Sequence, residues 1–276
     1  MIRRNTMNFN EKQILGKTGL HVGRLGVACS YGAPAGAFEE AFDRGINYFY
    51  WGSTRKSAMA RAIRNIIAKG KRDALVIVLQ SYSRSAGLME SFYQKGLKTL
   101  GIDCADVLLL GWHNRLPSAR ILDQAEAMRR KGMFRYLALS GHNRPLFPEL
   151  ANDPRFDIFH IRYNAAHRGA EHEVFQKLAP GNRPGIVTYT ATRWGDLLKP
   201  GNMPAGEKPL SAVDCYRFVM SNPDVDICMT GPGSLAQMQE ALTALDRGPL
   251  SADEMLRVKT IGDYVHNNSR RLFFNS

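Results

Sequence analysis

The stretch LGKTGLHVGRLGVACSYG, residues 15–32, decides how the rest of the chain is read. Ile14 and Leu15 are apolar, Gly16 and Gly19 bracket a turn, and apolar residues return at Leu20 and Val22. That pattern predicts a β-hairpin turning on its glycine-rich centre. Residues 24–29 follow at once as a short apolar run, a strand that needs cover on both faces. A hairpin directly ahead of such a strand suits a cap over the bottom of whatever follows.

Working outward, seven further runs of the same kind occur at 46–50, 74–80, 106–111, 134–140, 157–163, 185–190 and 226–230. Helical patterns separate them. Met59, Ala62, Ile63, Ile66 and Ile67 share one face at 3.6-residue spacing, and Leu88, Met89, Phe92, Tyr93, Leu97 and Leu100 are read the same way. Ile121, Leu122, Ala125 and Met128 mark the next helix; later ones are signalled by Val174, Phe175 and Leu178, by Val213, Tyr216, Phe218 and Val219, and by Leu235, Met238, Ala241, Leu242 and Leu245. Eight strand–helix repeats without a break in composition predict an α/β fold, a single (β/α)8 TIM barrel with an N-terminal β-hairpin cap. The expected parts are the hairpin at 13–23, the barrel at 24–247 and a C-terminal helix and tail at 251–276. A doubly wound sheet is the alternative, but no GxGxxG follows the first strand. Residues 193–210, with Pro200, Gly201, Pro204, Gly206 and Pro209, read as the longest irregular loop, a lid, a binding loop or a disordered segment on the face where barrels keep their sites.

The 276 residues are 44% hydrophobic and 22% charged, an ordinary globular composition. The formal net charge of +12 favours acidic partners, a phosphorylated cofactor first among them. The basic residues are dispersed and no aromatic-interleaved basic stripe is present, so nucleic acid is not the expected partner. Cys29, Cys104, Cys215 and Cys228 lie far apart without metal-ligand spacing, and no histidine pair shares such spacing with a carboxylate, so no metal is expected. No apolar run approaches a membrane span and the N-terminus lacks a signal-peptide core, which points to a cytoplasmic protein that does not bind membranes.

Six collinear segments resemble those of aldo-keto reductases: residues 15–32, GINYFYWGSTR at 45–55, FRYLALSGHN at 134–143, IRYNAAHR at 161–168, GIVTYTATRWGDLL at 185–198 and RFVMSNPDVDICMTGPGSLAQMQEAL at 217–242. The resemblance implies hydride transfer between NADP(H) or NAD(H) and a carbonyl or alcohol. In that family a tyrosine supplies the proton, tuned by a lysine and an aspartate, and a histidine orients the substrate. All four positions depart. Tyr50 stands for the aspartate, Arg55 for the tyrosine, Gln80 for the lysine, and Gly111 for the histidine, with His113 two residues on. The cofactor side departs less. Ser140 matches the residue that holds the nicotinamide carboxamide, followed by Gly141 in place of an asparagine and then by His142 and Asn143. His160 replaces a glutamine. Tyr189 matches the tyrosine that stacks on the nicotinamide, Thr190 and the 195–198 segment with Leu197 match the pyrophosphate loop, and Gly231, Ser234 and Gln237 match the adenosine-phosphate segment without its usual base.

Three readings stay open. In the first, an oxidoreductase uses a non-standard proton donor, Tyr50 first and His113 second, with Arg55 either lowering the Tyr50 pKa or clamping an anionic substrate. Trp51, Gln80 and Trp194 are then the substrate contacts. In the second, a lyase or isomerase acts on an anionic small molecule without nucleotide. In the third, reductase activity is lost and the barrel is a nucleotide-binding sensor. His142 is a further acid–base candidate near neutral pH. His160 and Arg162 form an inward polar face read as barrel packing or support.

Overall fold

The computed structural model describes residues 7–29, 31–53, 56–179 and 181–268. Two short antiparallel strands, β1 (Gln13–Ile14) and β2 (His21–Val22), make the expected hairpin around a 3-10 turn. Eight parallel strands follow: β3 (Leu25–Ala28), β4 (Tyr48–Trp51), β5 (Val76–Ser81), β6 (Ala105–Leu110), β7 (Phe134–Gly141), β8 (Ile158–Arg162), β9 (Gly185–Tyr189) and β10 (Ile227–Thr230). They pair in chain order and β10 closes on β3, so the sheet is a barrel without edges. All eight expected strands are present, with ends that differ by at most two residues.

Helices α1 (Ala35–Asp43), α2 (Ser57–Ala68), α3 (Ala86–Leu100), α4 (Ala119–Arg130), α5 (Leu146–Leu150), α6 (Ala170–Glu173), α7 (Ala212–Met220), α8 (Leu235–Arg247) and α9 (Ala252–Asn268) surround it. Three helical expectations are corrected. On α3 the buried stripe is Met89, Tyr93, Leu97 and Leu100, whereas Leu88 and Phe92 lie about 100° to one side and face solvent. Leu235 likewise faces out from the first turn of α8. The helix signalled by Val174, Phe175 and Leu178 is only one α turn and a 3-10 turn; those side chains are buried, but Val174 leaves helical geometry.

Strand alternation sorts the side chains into two cores. Outward residues such as Phe49, Ile77, Leu108 and Phe159 meet the helices. Inward residues Val76, Val78, Val107, Leu109, Ala138, Ile158, Val187 and Ile227 fill the barrel, plugged from below by Leu15 and Val22 of the hairpin. Gly185 is required there: a β-carbon would come within 2.6 Å of the Leu15 side chain.

The N-terminal rim is stitched by carboxylates. Asp106, Asp157 and Asp226 each accept a hydrogen bond from the backbone N–H of a neighbouring strand, from Ile77 at 2.8 Å, Leu137 at 2.8 Å and Ile186 at 2.7 Å. Each is also paired with arginine: Arg72 and Arg135 on Asp106, Arg129 on Asp157, and Arg183 on Asp226 at 2.7 and 2.9 Å. Pairing is what makes these buried charges tolerable.

At the other end the inward stripes change character. On five of the eight strands the inward stripe finishes in a polar or aromatic side chain: Tyr50 above Tyr48, Gln80 above Val78, Ser140 above Ala138, His160 and Arg162 above Ile158, and Tyr189 above Val187. The 193–210 segment is not an open lid. It forms 3-10 turns at Asp196–Leu198 and Pro200–Asn202 and buries Leu197, Met203 and Leu210. Helix α9 packs against the loop after β8 so closely that a β-carbon on Gly262 would collide with the Ala165 carbonyl.

Candidate active site

The polar upper ends of the strands open into a cavity of about 960 Å³ at the C-terminal mouth of the barrel, the face on which barrel chemistry is built. Its floor is His160, whose Nε2 is 2.8 Å from the Tyr48 hydroxyl. Burial pushes the His160 pKa down to about 3, so the imidazole is neutral. Tyr50 stands beside it, with ring centroids 6.3 Å apart. The Tyr50 hydroxyl shares a hydrogen bond with Tyr82, and burial, first, and then Tyr82 raise its pKa far above the ordinary phenol value. Tyr50 is therefore a phenol rather than a phenolate. Arg55, expected to lower that pKa or to clamp an anion, lies outside the described residues.

Tyr189 closes the opposite wall. Its hydroxyl donates to the Gly141 carbonyl at 3.2 Å and lies 3.4 Å from His142 Nδ1, and burial pushes its pKa up to about 12. His142 is kept neutral by burial and by Arg162 and Arg144. Its backbone N–H is held by Asn114 Oδ1 at 2.7 Å. Ser140 Oγ accepts from the Trp112 N–H at 3.1 Å, which leaves its own O–H available to the cavity.

Two departures from the family pattern have a steric cause. A β-carbon at Gly111 would run into the Gln80 amide and the Tyr82 ring as they are placed, so a larger residue there requires both side chains to move. One at Gly141 would run into the His113 carbonyl, because the loop after β6 crosses directly over that strand end.

Backbone strain gathers at the same place. Among the described residues the non-glycine positions with positive φ are Trp112, Thr190, Arg193 and Trp194, at 60°, 61°, 52° and 54°, and all four line the cavity. Left-handed geometry costs a non-glycine residue about 1–2 kcal/mol, and such strain tends to persist at functional sites. Trp112 and Trp194, with Tyr31 and Tyr82, also form an exposed aromatic rim around the mouth. Strain of this kind leaves no mark in sequence. Arg193 is fixed by donating to the Val265 carbonyl of α9 at 3.2 Å.

Of the residues singled out from sequence, Tyr50, Gln80, Ser140, His142, Tyr189, Thr190, Trp194, Gly231 and Gln237 line this cavity. Five do not. Trp51 points outward, as alternation after Tyr50 demands, and is buried against α3 with its Nε1 donating to the Lys56 carbonyl at 2.8 Å. His113 is drawn to Arg84, 2.7 Å from its Nε2; burial and that arginine push its pKa down to about 4, so it is no acid–base group of the cavity. Leu197 is wholly in the core. Asn143 turns out to the Asn114 carbonyl at 3.1 Å, and Ser234 caps α8 by accepting from the Gln237 N–H. His160 both packs and lines the cavity. Arg162, Arg193, His167, Tyr31, Tyr82 and Trp112 are lining residues to which the sequence reading gave no part in the site.

The residues that would hold a nicotinamide, Tyr189, Ser140 and His142, converge at one end of the cavity. The dinucleotide's other end is less open. Gln237 Oε1 already accepts from the Gly233 N–H at 2.7 Å, and the first turn of α8 carries no basic residue. A phosphate there must displace the Gln237 side chain. Among the described residues no group of three or more His, Cys, Asp or Glu side chains is arranged to hold a metal, and no helix is long and apolar enough to cross a membrane.

No family model and no curated protein matches the chain. Solved structures do match. The holo form of aldo-keto reductase AKR11C1 from Bacillus halodurans superimposes with a TM-score of 0.73 at 18% identity, over 91% of this chain and 96% of that one. Its apo form gives 0.71 at 18% identity, over 91% and 95%. At this identity the likeness speaks for architecture. The chain has the (β/α)8 barrel fold of that aldo-keto reductase, as the sequence resemblance implied.

Proposed function

We propose that the protein is an oxidoreductase that uses NADP(H) or NAD(H) to interconvert a carbonyl and an alcohol, with Tyr50 as proton donor. One observation carries the reading: Tyr50 faces Ser140, His142 and Tyr189 across a single cavity, in a fold shared with an aldo-keto reductase. A bound reduced nicotinamide supplies the hydride in such chemistry. The chain's own part is to hold the ring against Tyr189, to engage the carboxamide with Ser140 and His142, and to deliver the proton. Tyr50 keeps its proton at neutral pH and gives it to the substrate oxygen; Tyr82, hydrogen-bonded to it and exposed at the mouth, returns a proton from solvent. Without the lysine and aspartate that tune the usual donor, Tyr50 is a weak acid, so turnover is expected to be slow.

Tyr50→Phe removes the donor and keeps the ring. Turnover in a screen of carbonyl substrates should fall by about 10²–10⁴, with nucleotide affinity within about twofold. A Tyr50→Phe enzyme that keeps its kcat removes Tyr50 from the mechanism.

A further inference from the structure

Arg162 is the last residue of β8, and its side chain turns into the cavity one pleat above His160. Its Nε is buried without a hydrogen-bond partner, and among the described residues none accepts a hydrogen bond from the rest of the guanidinium. The charges that act on it are of its own sign, Arg144 and Arg193; only the Tyr189 hydroxyl favours its ionised form. The neighbouring arginines have carboxylates of their own. Arg144 is paired with Glu173 at 2.7 Å, and Arg193 lies 3.9 Å from Asp196, which also takes Lys199 at 3.2 Å. His142 and His167, close by, are both kept neutral, by burial first and then by Arg162 itself among other groups.

A guanidinium cannot escape this setting by losing its proton. Desolvating a cation among other cations is unfavourable unless an anion arrives to pair with it. A planar donor fork with no protein acceptor, aimed into a cavity, suits a planar or tetrahedral oxyanion.

We propose that Arg162 anchors an oxyanion group, carboxylate or phosphate, of the small molecule that this cavity takes. The anion docks on the Arg162 guanidinium, and the remainder of the molecule extends over His160 toward Tyr50 and Gln80. This inference rests on the cavity being the substrate site, but not on any cofactor. It moves anion recognition from Arg55, where the sequence suggested it, to a strand end inside the barrel. The plain alternative, a guanidinium merely solvated by cavity water, predicts no preference for charged ligands.

The test is calorimetric titration of the full chain, without nucleotide, with benzoate, its neutral isostere benzamide, and phenyl phosphate. At least one anion should bind saturably and at least tenfold more tightly than benzamide, and whichever anion binds better identifies the class. Arg162→Gln should abolish that preference without lowering the melting temperature, since it removes an unpaired charge; Arg162→Met gives a second removal should the first fail to fold. Arg144→Gln, which breaks a pair outside the cavity lining, should retain the preference. Equal binding of benzoate, phenyl phosphate and benzamide, or anion binding indifferent to both Arg162 replacements, overturns the proposal. So does a variant whose only change is weaker NADPH or NADH binding, which would make Arg162 a cofactor contact. Because no nucleotide is present, loss of the redox reading leaves this result standing, and the reverse also holds.

Discussion

His160 bears on stability as well as on the cavity. It is buried, bonded to Tyr48 and held neutral with a pKa near 3, while His113 and His167 are pushed down to about 4 by burial. In the unfolded chain each titrates near 6.5. The unfolded state therefore binds more protons below that value, and stability falls as pH drops from 6.5 toward 4. Unperturbed carboxylates titrate mostly below about pH 5, so the interval from pH 6.5 to 5 reports mainly the histidines. The melting temperature should fall measurably across that interval, and less in His160→Gln; a flat profile contradicts the burial described. At this scale the sequence exposed Tyr50, Gln80, Ser140 and Tyr189, because strand alternation and collinear motifs fix which residue of a strand end faces inward. It misassigned Trp51 by one residue of alternation. It could not show that Arg84 captures His113 or that Arg144 finds Glu173, since those outcomes depend on segments some 30 residues away.

Among the elements, the strands were the most legible and the helices less so. Near-continuous apolar runs mark strands buried on both faces, and all eight were found. Asp157 and Asp226, which open two of the expected strands, are instead the stitches just ahead of β8 and β10. Leu88 and Phe92 belong to no core because an apolar residue at helical spacing is not obliged to face inward; single exposed apolar residues are ordinary. The carboxylate stitches hold strand to strand at the end away from the cavity. Asp226 alone joins the β9 backbone at Ile186 to Arg183 of the preceding loop. Asp226→Ala strands a half-buried arginine and an amide, and should lower unfolding free energy by about 3–5 kcal/mol in chemical denaturation. A loss below about 1 kcal/mol means that the stitch is dispensable. Ligand binding by the folded variant should be unchanged, because the cavity lies at the opposite face.

In the molecule as a whole the two ends of the barrel do different things. The lower end is closed by a hairpin plug and paired charges. The upper end carries the left-handed backbone, the aromatic rim and Arg162, a cation without a hydrogen-bond partner among the described residues. The formal net charge of +12 belongs to the molecule as a whole and favours acidic ligands in general. At the upper end Gly111 faces the Gln80 amide, and Gly141 leaves room for the His113 carbonyl. Of the chain's tryptophans, Trp112 and Trp194 stand on the rim, whereas Trp51 is sealed against α3 and serves as a constant background. The most direct test is accordingly a titration with NADPH and with NADH, followed by tryptophan emission. The account predicts saturable quenching by at least one nucleotide, with a Kd on the order of 10 μM, lost in Trp112→Phe/Trp194→Phe. No quenching and no heat of binding with either nucleotide up to millimolar concentration would contradict it, and would leave the cavity to an anionic substrate transformed without hydride transfer.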